Sequence, residues 1–187
     1  MGGTFDPIHL GHLRAAENAR ESLGLDEVRF VPAQVPPHRA APASSARDRF
    51  AMVALATALN PRFVADDLEL RREGTSYTVD TIARLREERP GDDVVLVVGS
   101  DTYPELSTWK EHERLFRMCT VAVVSRPDDG RPERATPEAS PGIRRVPGPG
   151  LAVSATDIRR RVKEGLSIRY LVPETVADYI AKRGLYR

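Results

Sequence analysis

Two runs of valine, VVLVVG (94–99) and TVAVVS (120–125), constrain the fold of this chain more than any other feature. Each is continuously apolar and rich in β-branched residues. Strands of that kind are covered on both faces, and such burial is found where parallel strands are joined by helical crossovers. The intervening segments agree. VRFVPA (28–33) reads as a strand, and RFVADDLEL (62–70) holds another. Helical periodicity runs over His9 to Leu23, Ala46 to Leu59, Tyr77 to Glu88 and Trp109 to Met118, then over Ser154 to Lys163 and Pro173 to Lys182. The expected fold is α/β, a parallel sheet flanked by helices. A length of 187 residues suits a single domain spanning 1–187, with a helical portion from about 154 to the end.

Two stretches interrupt the alternation. QVPPHRAAPASS (34–45) and RPDDGRPERATPEASPGIRRVPGPG (126–150) read as long loops, the first a candidate active-site loop and the second a solvent-exposed excursion. Lys plus Arg number 28 against 27 Asp plus Glu, a net charge of +1, which gives no general attraction to nucleic acid or to an anionic membrane. No apolar run is long enough to cross a bilayer and no signal peptide is evident, so a cytoplasmic location is expected. The single cysteine, Cys119, allows neither an internal disulfide nor a zinc knuckle, and its apolar setting RMCTVAVV predicts a buried, inert thiol.

The chemistry concentrates in GGTFDPIHLGHL (2–13). Gly2 and Gly3 permit a tight turn whose backbone N–H groups face a ligand. His9 and His12 lie three apart at the start of a helix, hence on one face. A helix N-terminus already favours phosphate. Gly11 leaves the backbone bare between the two imidazoles. An HxxH pair alone is more often two surface histidines. Its coincidence with the Gly-Gly turn, Asp6-Pro7 and Gly11 points instead to a triphosphate cradle. A glycine turn of this kind normally follows a strand, yet only Met1 precedes it, so the first strand is expected to be largely missing, with the natural start upstream.

GTFDPIHLGH resembles the signature of the HxGH nucleotidyltransferases, which share a Rossmann-like sheet and bind ATP at this motif. The resemblance implies in-line attack on the α-phosphorus without a covalent enzyme intermediate. It makes His12 the donor to the α-phosphate, His9 a phosphate ligand, and the backbone around Gly3, Thr4, Phe5 and Gly11 part of the ATP site. VSATDIRRRV (153–162) is similar to the family's second signature. Ser154 is a natural N-cap, and Thr156 and Arg159 fall on one helical face with Ile158 and Val162 inward. The resemblance assigns Arg159 to the β- and γ-phosphates, beside Ser154 and Thr156. With His12 and His9, Arg159 completes the expected catalytic set. No metal-binding motif is present, so Mg²⁺ is expected to arrive with ATP, with Asp6 a weak candidate for a water-mediated contact.

Three further stretches resemble bacterial nicotinate mononucleotide adenylyltransferases. In VPAQVPPHR (31–39) the Pro-Pro pair stiffens a loop carrying His38 and Arg39, which the family directs at nucleotide phosphates. In GTSYTVDTIARL (74–85) Thr78 can cap a helix, and the resemblance places Tyr77 and Thr78 in the nicotinate pocket. In VVGSDTYPELSTWKEHERLF (97–116) Asp101 follows a buried strand, where open α/β sheets bind ligands. The resemblance gives Asp101 the ribose hydroxyls, Trp109 the pyridine ring, and Lys110 a backbone contact. His112 sits in a charged helical turn and reads as solvated. The expected partners are ATP and nicotinate mononucleotide, with no nucleic acid or membrane, and a homo-oligomer is allowed for. The alternatives are a nicotinamide mononucleotide or phosphopantetheine acceptor, or a nucleotide-binding module without turnover.

Overall fold

A computed structural model describes residues 1–37, 41–125, 142–148 and 150–187. Six parallel strands and six α-helices lie among them, alternating as far as the fifth strand. The strands are β1 (Gly2–Gly3), β2 (Val28–Pro32), β3 (Phe63–Ala65), β4 (Val95–Gly99), β5 (Thr120–Val124) and β6 (Ile143–Val146). The helices are α1 (Leu10–Leu23), α2 (Ala46–Thr57), α3 (Thr78–Glu88), α4 (His112–Met118), α5 (Ala155–Lys163) and α6 (Glu174–Arg183). The strands form two hydrogen-bonded sets, β1-β2-β3 and β4-β5-β6. β1 lies beside β4. The resulting order, 3-2-1-4-5-6, is that of a doubly wound Rossmann-type sheet with its crevice at the β1/β4 switch point.

The first strand, expected to be largely missing, is two residues long. Gly2 pairs with Val31 and Gly3 with Pro32. The ladder is continued by Val31 N–H donating to Met1 O at 3.0 Å and by the Met1 amine donating to Arg29 O at 2.8 Å. Beside Met1, the space between β2 and β4 is a cavity of about 140 Å³, walled by Val28, Arg29, Val95, Val97 and the Ile82 and Leu85 side chains of α3.

Two elements differ from the sequence-based expectation. The helix expected from Trp109 begins only at His112. A 3-10 turn occupies Tyr103–Thr108, and Glu111, at φ +50°, breaks the backbone between them. The segment read as one loop over 126–150 contains β6, IRRV, which pairs with β5 from Val121↔Ile143 to Val124↔Val146. Its two arginines are exposed while Val146 is fully buried, and a sheet-edge position tolerates the flanking Pro and Gly residues. Residues 126–141 lie outside the described ones.

Three apolar clusters hold the layers together. Phe5, Ile8, Phe30, Met52 and Ile158 pack with Val172, Val176 and Ile180, so the C-terminal helix α6 shares the core beneath the glycine turn. Ile82, Leu96, Leu115, Val121 and Val123 form the second cluster, around β4, β5 and α3. Ala19 of α1 meets Val97, Ala122, Val124 and Val146 in the third, which joins the halves. Cys119 is buried and its Sγ lies 3.4 Å from Leu115 O; burial pushes the thiol up to about 11, which keeps it protonated. Among the described residues no helix is long and apolar enough to cross a membrane.

Candidate active site

The glycine turn delivers the chain from β1 into α1 through a constrained path. Phe5, buried at φ +50°, takes a backbone conformation uncommon for a residue with a side chain. Its ring meets His12 edge-on, with centroids 5.2 Å apart, and anchors in the first core cluster. A Cβ on Gly3 would come within 3.0 Å of the Phe5 ring. A Cβ on Gly11 would come within 3.0 Å of His9 Nδ1. A side chain at position 11 would therefore press on the His9 ring, a packing reason for glycine beside the bare approach for ligand.

His9 is the N-cap of α1, and the two histidines cap the helix reciprocally. His12 N–H donates to His9 Nδ1 at 3.4 Å, and His9 N–H donates to His12 Nδ1 at 3.3 Å. The rings stack at 3.6 Å between centroids and 22° between planes. With Nδ1 accepting from the backbone, the neutral rings carry hydrogen on Nε2, so both present an N–H donor on that edge. His9 is buried and His12 half-buried. These donors stand at the N-terminus of a 14-residue helix, whose dipole favours an anion at the same place.

The second signature docks onto the first. Ser154 caps α5, accepting from Asp157 N–H at 3.2 Å, as expected. Ile158 is fully buried and Val162 packs against the same core. Arg159 Nη1 donates to Asp6 O at 2.7 Å, and Nη2 lies 3.4 Å from Thr156 Oγ1. The structure thus brings His9, His12, Thr156 and Arg159 to one end of the sheet although the two segments are 153 residues apart at the Arg159–Asp6 contact. Beneath them, buried Arg49 of α2 donates to Thr4 O, Ala33 O and Gln34 O at 2.7, 2.6 and 3.3 Å, tying the glycine turn to the start of the 34–45 loop. The sequence does not single out Arg49, and it marks Asp6 as part of the motif and not as a structural anchor; an Arg at a position of core periodicity in α2 was the available signal.

Tyr77, Thr78, Trp109 and Lys110, expected at the acceptor, lie beside the β4 half together with Asp101, expected at the ATP ribose. Asp101 is exposed just beyond the end of β4. A Cβ on Gly99 would collide with its Oδ1, so the glycine lets the carboxylate fold back over the strand end. Tyr77, not Thr78, is the N-cap of α3 and makes no side-chain capping bond; Thr78 is already helical, because the extended backbone of Tyr77 ends the preceding loop one residue earlier than expected. Where the resemblance implies a backbone contact for Lys110, the structure shows its side chain engaged. Its Nζ pairs with Asp80 at 3.2 Å and sits 4.7 Å over the Tyr77 ring. Asp80, an acidic residue in the first turn of α3, was missed from sequence. Trp109 is half-buried and packs against the second core cluster. His112 is half-buried, its ring edge-on to Phe116, rather than fully solvated. His38 and Arg39 lie outside the described residues. The first stem of their loop is tied to Ser76: Gln34 N–H donates to Ser76 Oγ at 2.9 Å and Ser76 N–H to Val35 O at 2.9 Å.

Among the described residues no group of three or more His, Cys, Asp or Glu side chains could hold a metal ion. The Asp6 carboxylate, the one candidate for a water-mediated contact, is committed to Ala43, Ser44 and Tyr186.

Comparison with known proteins agrees with this geometry. Residues 1–161 match the model of the family described as cytidylyltransferase-like. A protein named probable nicotinate-nucleotide adenylyltransferase from Thermus thermophilus is 47% identical over 187 residues, covering 100% of this chain and 97% of the relative. One of the same name from Chromohalobacter salexigens is 45% identical, covering 100% and 94%. The solved structure of Plasmodium falciparum nicotinic acid mononucleotide adenylyltransferase complexed with NaAD superposes with a TM-score of 0.82 at 20% identity, over 99% of this chain and 94% of that one, which establishes the fold. With two glycine-bounded imidazoles, a docked arginine and full-length likeness to these relatives, the chain belongs to the nicotinate-nucleotide adenylyltransferases.

Proposed function

We propose that the chain transfers AMP from ATP to nicotinate mononucleotide, giving nicotinic acid adenine dinucleotide and pyrophosphate, a step of NAD synthesis. In this reaction an oxygen of the mononucleotide's 5′-phosphate bonds to the α-phosphorus of ATP while the bond to the β-phosphate oxygen breaks. The pair of electrons leaves with pyrophosphate. No protein nucleophile is needed, so the work of the residues is placement and charge stabilisation.

The observation that carries the reading is the stacked His9–His12 pair at the α1 N-terminus with Arg159 docked beside it on the Asp6 carbonyl. His12 Nε2–H is the donor to the charge building on the α-phosphate, and His9 supports it and binds phosphate. Arg159, with Thr156 and Ser154, receives the β- and γ-phosphates. Gly3, Thr4, Phe5 and Gly11 offer backbone to the nucleotide, and Asp101 accepts from ribose hydroxyls. Mg²⁺ enters as part of the substrate Mg-ATP, held by phosphate oxygens. On the other half, Tyr77, Thr78, Trp109 and Lys110 take the nicotinate moiety. The positive Lys110 Nζ over the Tyr77 ring favours an acid over an amide acceptor there. His38 and Arg39 approach the phosphates from the 34–45 loop. Such a reaction belongs where ATP is made and used, in the cytoplasm.

The test is pyrophosphate release with Mg-ATP and, in parallel, nicotinate mononucleotide, nicotinamide mononucleotide and phosphopantetheine. Fastest release with the nicotinate acid is expected. Release with phosphopantetheine alone would overturn the acceptor, and ATP binding without release from any acceptor would overturn the reaction.

A further inference from the structure

One buried polar cluster has no part in the chemistry just described. Asp6 is 6% exposed, yet its carboxylate accepts three hydrogen bonds. Oδ2 accepts from Ala43 N–H at 2.7 Å. Oδ1 accepts from the Ser44 hydroxyl and from the Tyr186 hydroxyl, the latter at 2.8 Å. The two hydroxyl oxygens are 3.1 Å apart. Each hydroxyl has one hydrogen, and the contacts of both to Asp6 Oδ1 are shorter than the one between the hydroxyls. Burial raises the Tyr186 phenol far above its ordinary range, so it stays a donor at every neutral pH. The backbone carbonyl of the same Asp6 accepts from Arg159.

These bonds join four places in the sequence: the glycine turn, the far stem of the 34–45 loop, helix α5 and the penultimate residue of the chain. Burying a carboxylate is costly unless every lone pair in use is matched, and a matched one is fixed closely in position. An apolar contact would close the same gap without fixing the direction of the Asp6 carbonyl. That carbonyl is what orients Arg159. None of the four segments carries Tyr77, Thr78, Trp109 or Lys110.

We infer that Tyr186 and Ser44, acting through Asp6, are positioning residues that set Arg159 and the loop stem at 41–44 over the phosphate cradle, and so tune the use of ATP but not of the acceptor. The inference rests on the nucleotide reading above. It deepens that reading by giving the chain's last residues a task at the phosphates.

The test is Tyr186→Phe, which removes one hydroxyl and keeps the ring in the core, with Ser44→Ala as a second variant. Michaelis constants are measured separately for Mg-ATP and nicotinate mononucleotide, alongside the thermal midpoint. A hydrogen bond to a charged group of this kind corresponds to a rise of about tenfold in KM for Mg-ATP, with the acceptor's KM held within about twofold. Equal rises for both substrates, or a lowered midpoint with both kinetic constants unchanged, would overturn it, since either is what a merely structural bond gives. Titration of Mg-ATP alone onto wild type and Tyr186→Phe separates this from the assignment of the reaction. If wild type does not turn over the nicotinate acceptor, the reaction fails. The inference then stands on weaker Mg-ATP binding by Tyr186→Phe, or falls on equal binding.

Discussion

The two halves of the sheet are held by different means. The half with β1 to β3 has strands of two, five and three residues, and its ligand end is pinned by polar bonds: Arg49 on three carbonyls, Asp6 on three donors, Arg159 on Asp6, and histidines capping one another. The half with β4 to β6 has two five-residue strands and one of four, nearly all Val, Ala and Leu inside, and among the described residues its ligand end carries the Lys110–Asp80 ion pair and a half-buried Trp. Groups that bind a highly charged phosphate chain must be preorganised, because their geometry governs charge stabilisation in the transition state. Groups that bind a flat ring need a surface, which packing supplies. Under the proposed function, the difference fits transition-state work in the first half and acceptor recognition in the second.

The largest effect is expected from His12→Ala, a loss of about 10²–10³ in turnover with little change in thermal midpoint. Near-normal turnover by that variant would remove His12 from the chemistry and erase the contrast between the halves. Leu115→Ala probes the other half. Leu115 is fully buried, and its truncation should lower the unfolding free energy by about 2–4 kcal/mol in a denaturant titration while the folded fraction keeps its kcat. Trp109→Ala should raise KM for the nicotinate acceptor by about tenfold and that for Mg-ATP little; equal changes would make Trp109 only a core residue. Lys110→Met should narrow the preference for acid over amide acceptor by a few-fold, read as a ratio of kcat/KM values.

The parallel α/β plan was legible because continuous valine runs at β4 and β5 leave no other good solution. β6 was not, since two exposed arginines and neighbouring Pro and Gly mask a pattern whose only deep anchor is Val146. The histidine pair, Ser154 and Arg159 were legible because their spacing on a helix fixes a face. Asp6, Arg49, Ser44 and Tyr186 were not read as partners, because their contacts span up to 180 residues and no local period encodes them. Asp80 was hidden in the same way, meeting Lys110 across 30 residues. The αL backbone at Glu111, which cuts the expected helix at Trp109, has no glycine to announce it.

The most direct test of the division between the halves is a crossed kinetic measurement on Arg159→Ala and Trp109→Ala, with Mg-ATP and nicotinate mononucleotide each varied at saturating partner. The result expected is complementary: Arg159→Ala raises KM for Mg-ATP and lowers kcat, while Trp109→Ala raises KM for the acceptor and spares kcat. Both variants raising both Michaelis constants alike would contradict it, and would mean that the two substrates share one undivided site.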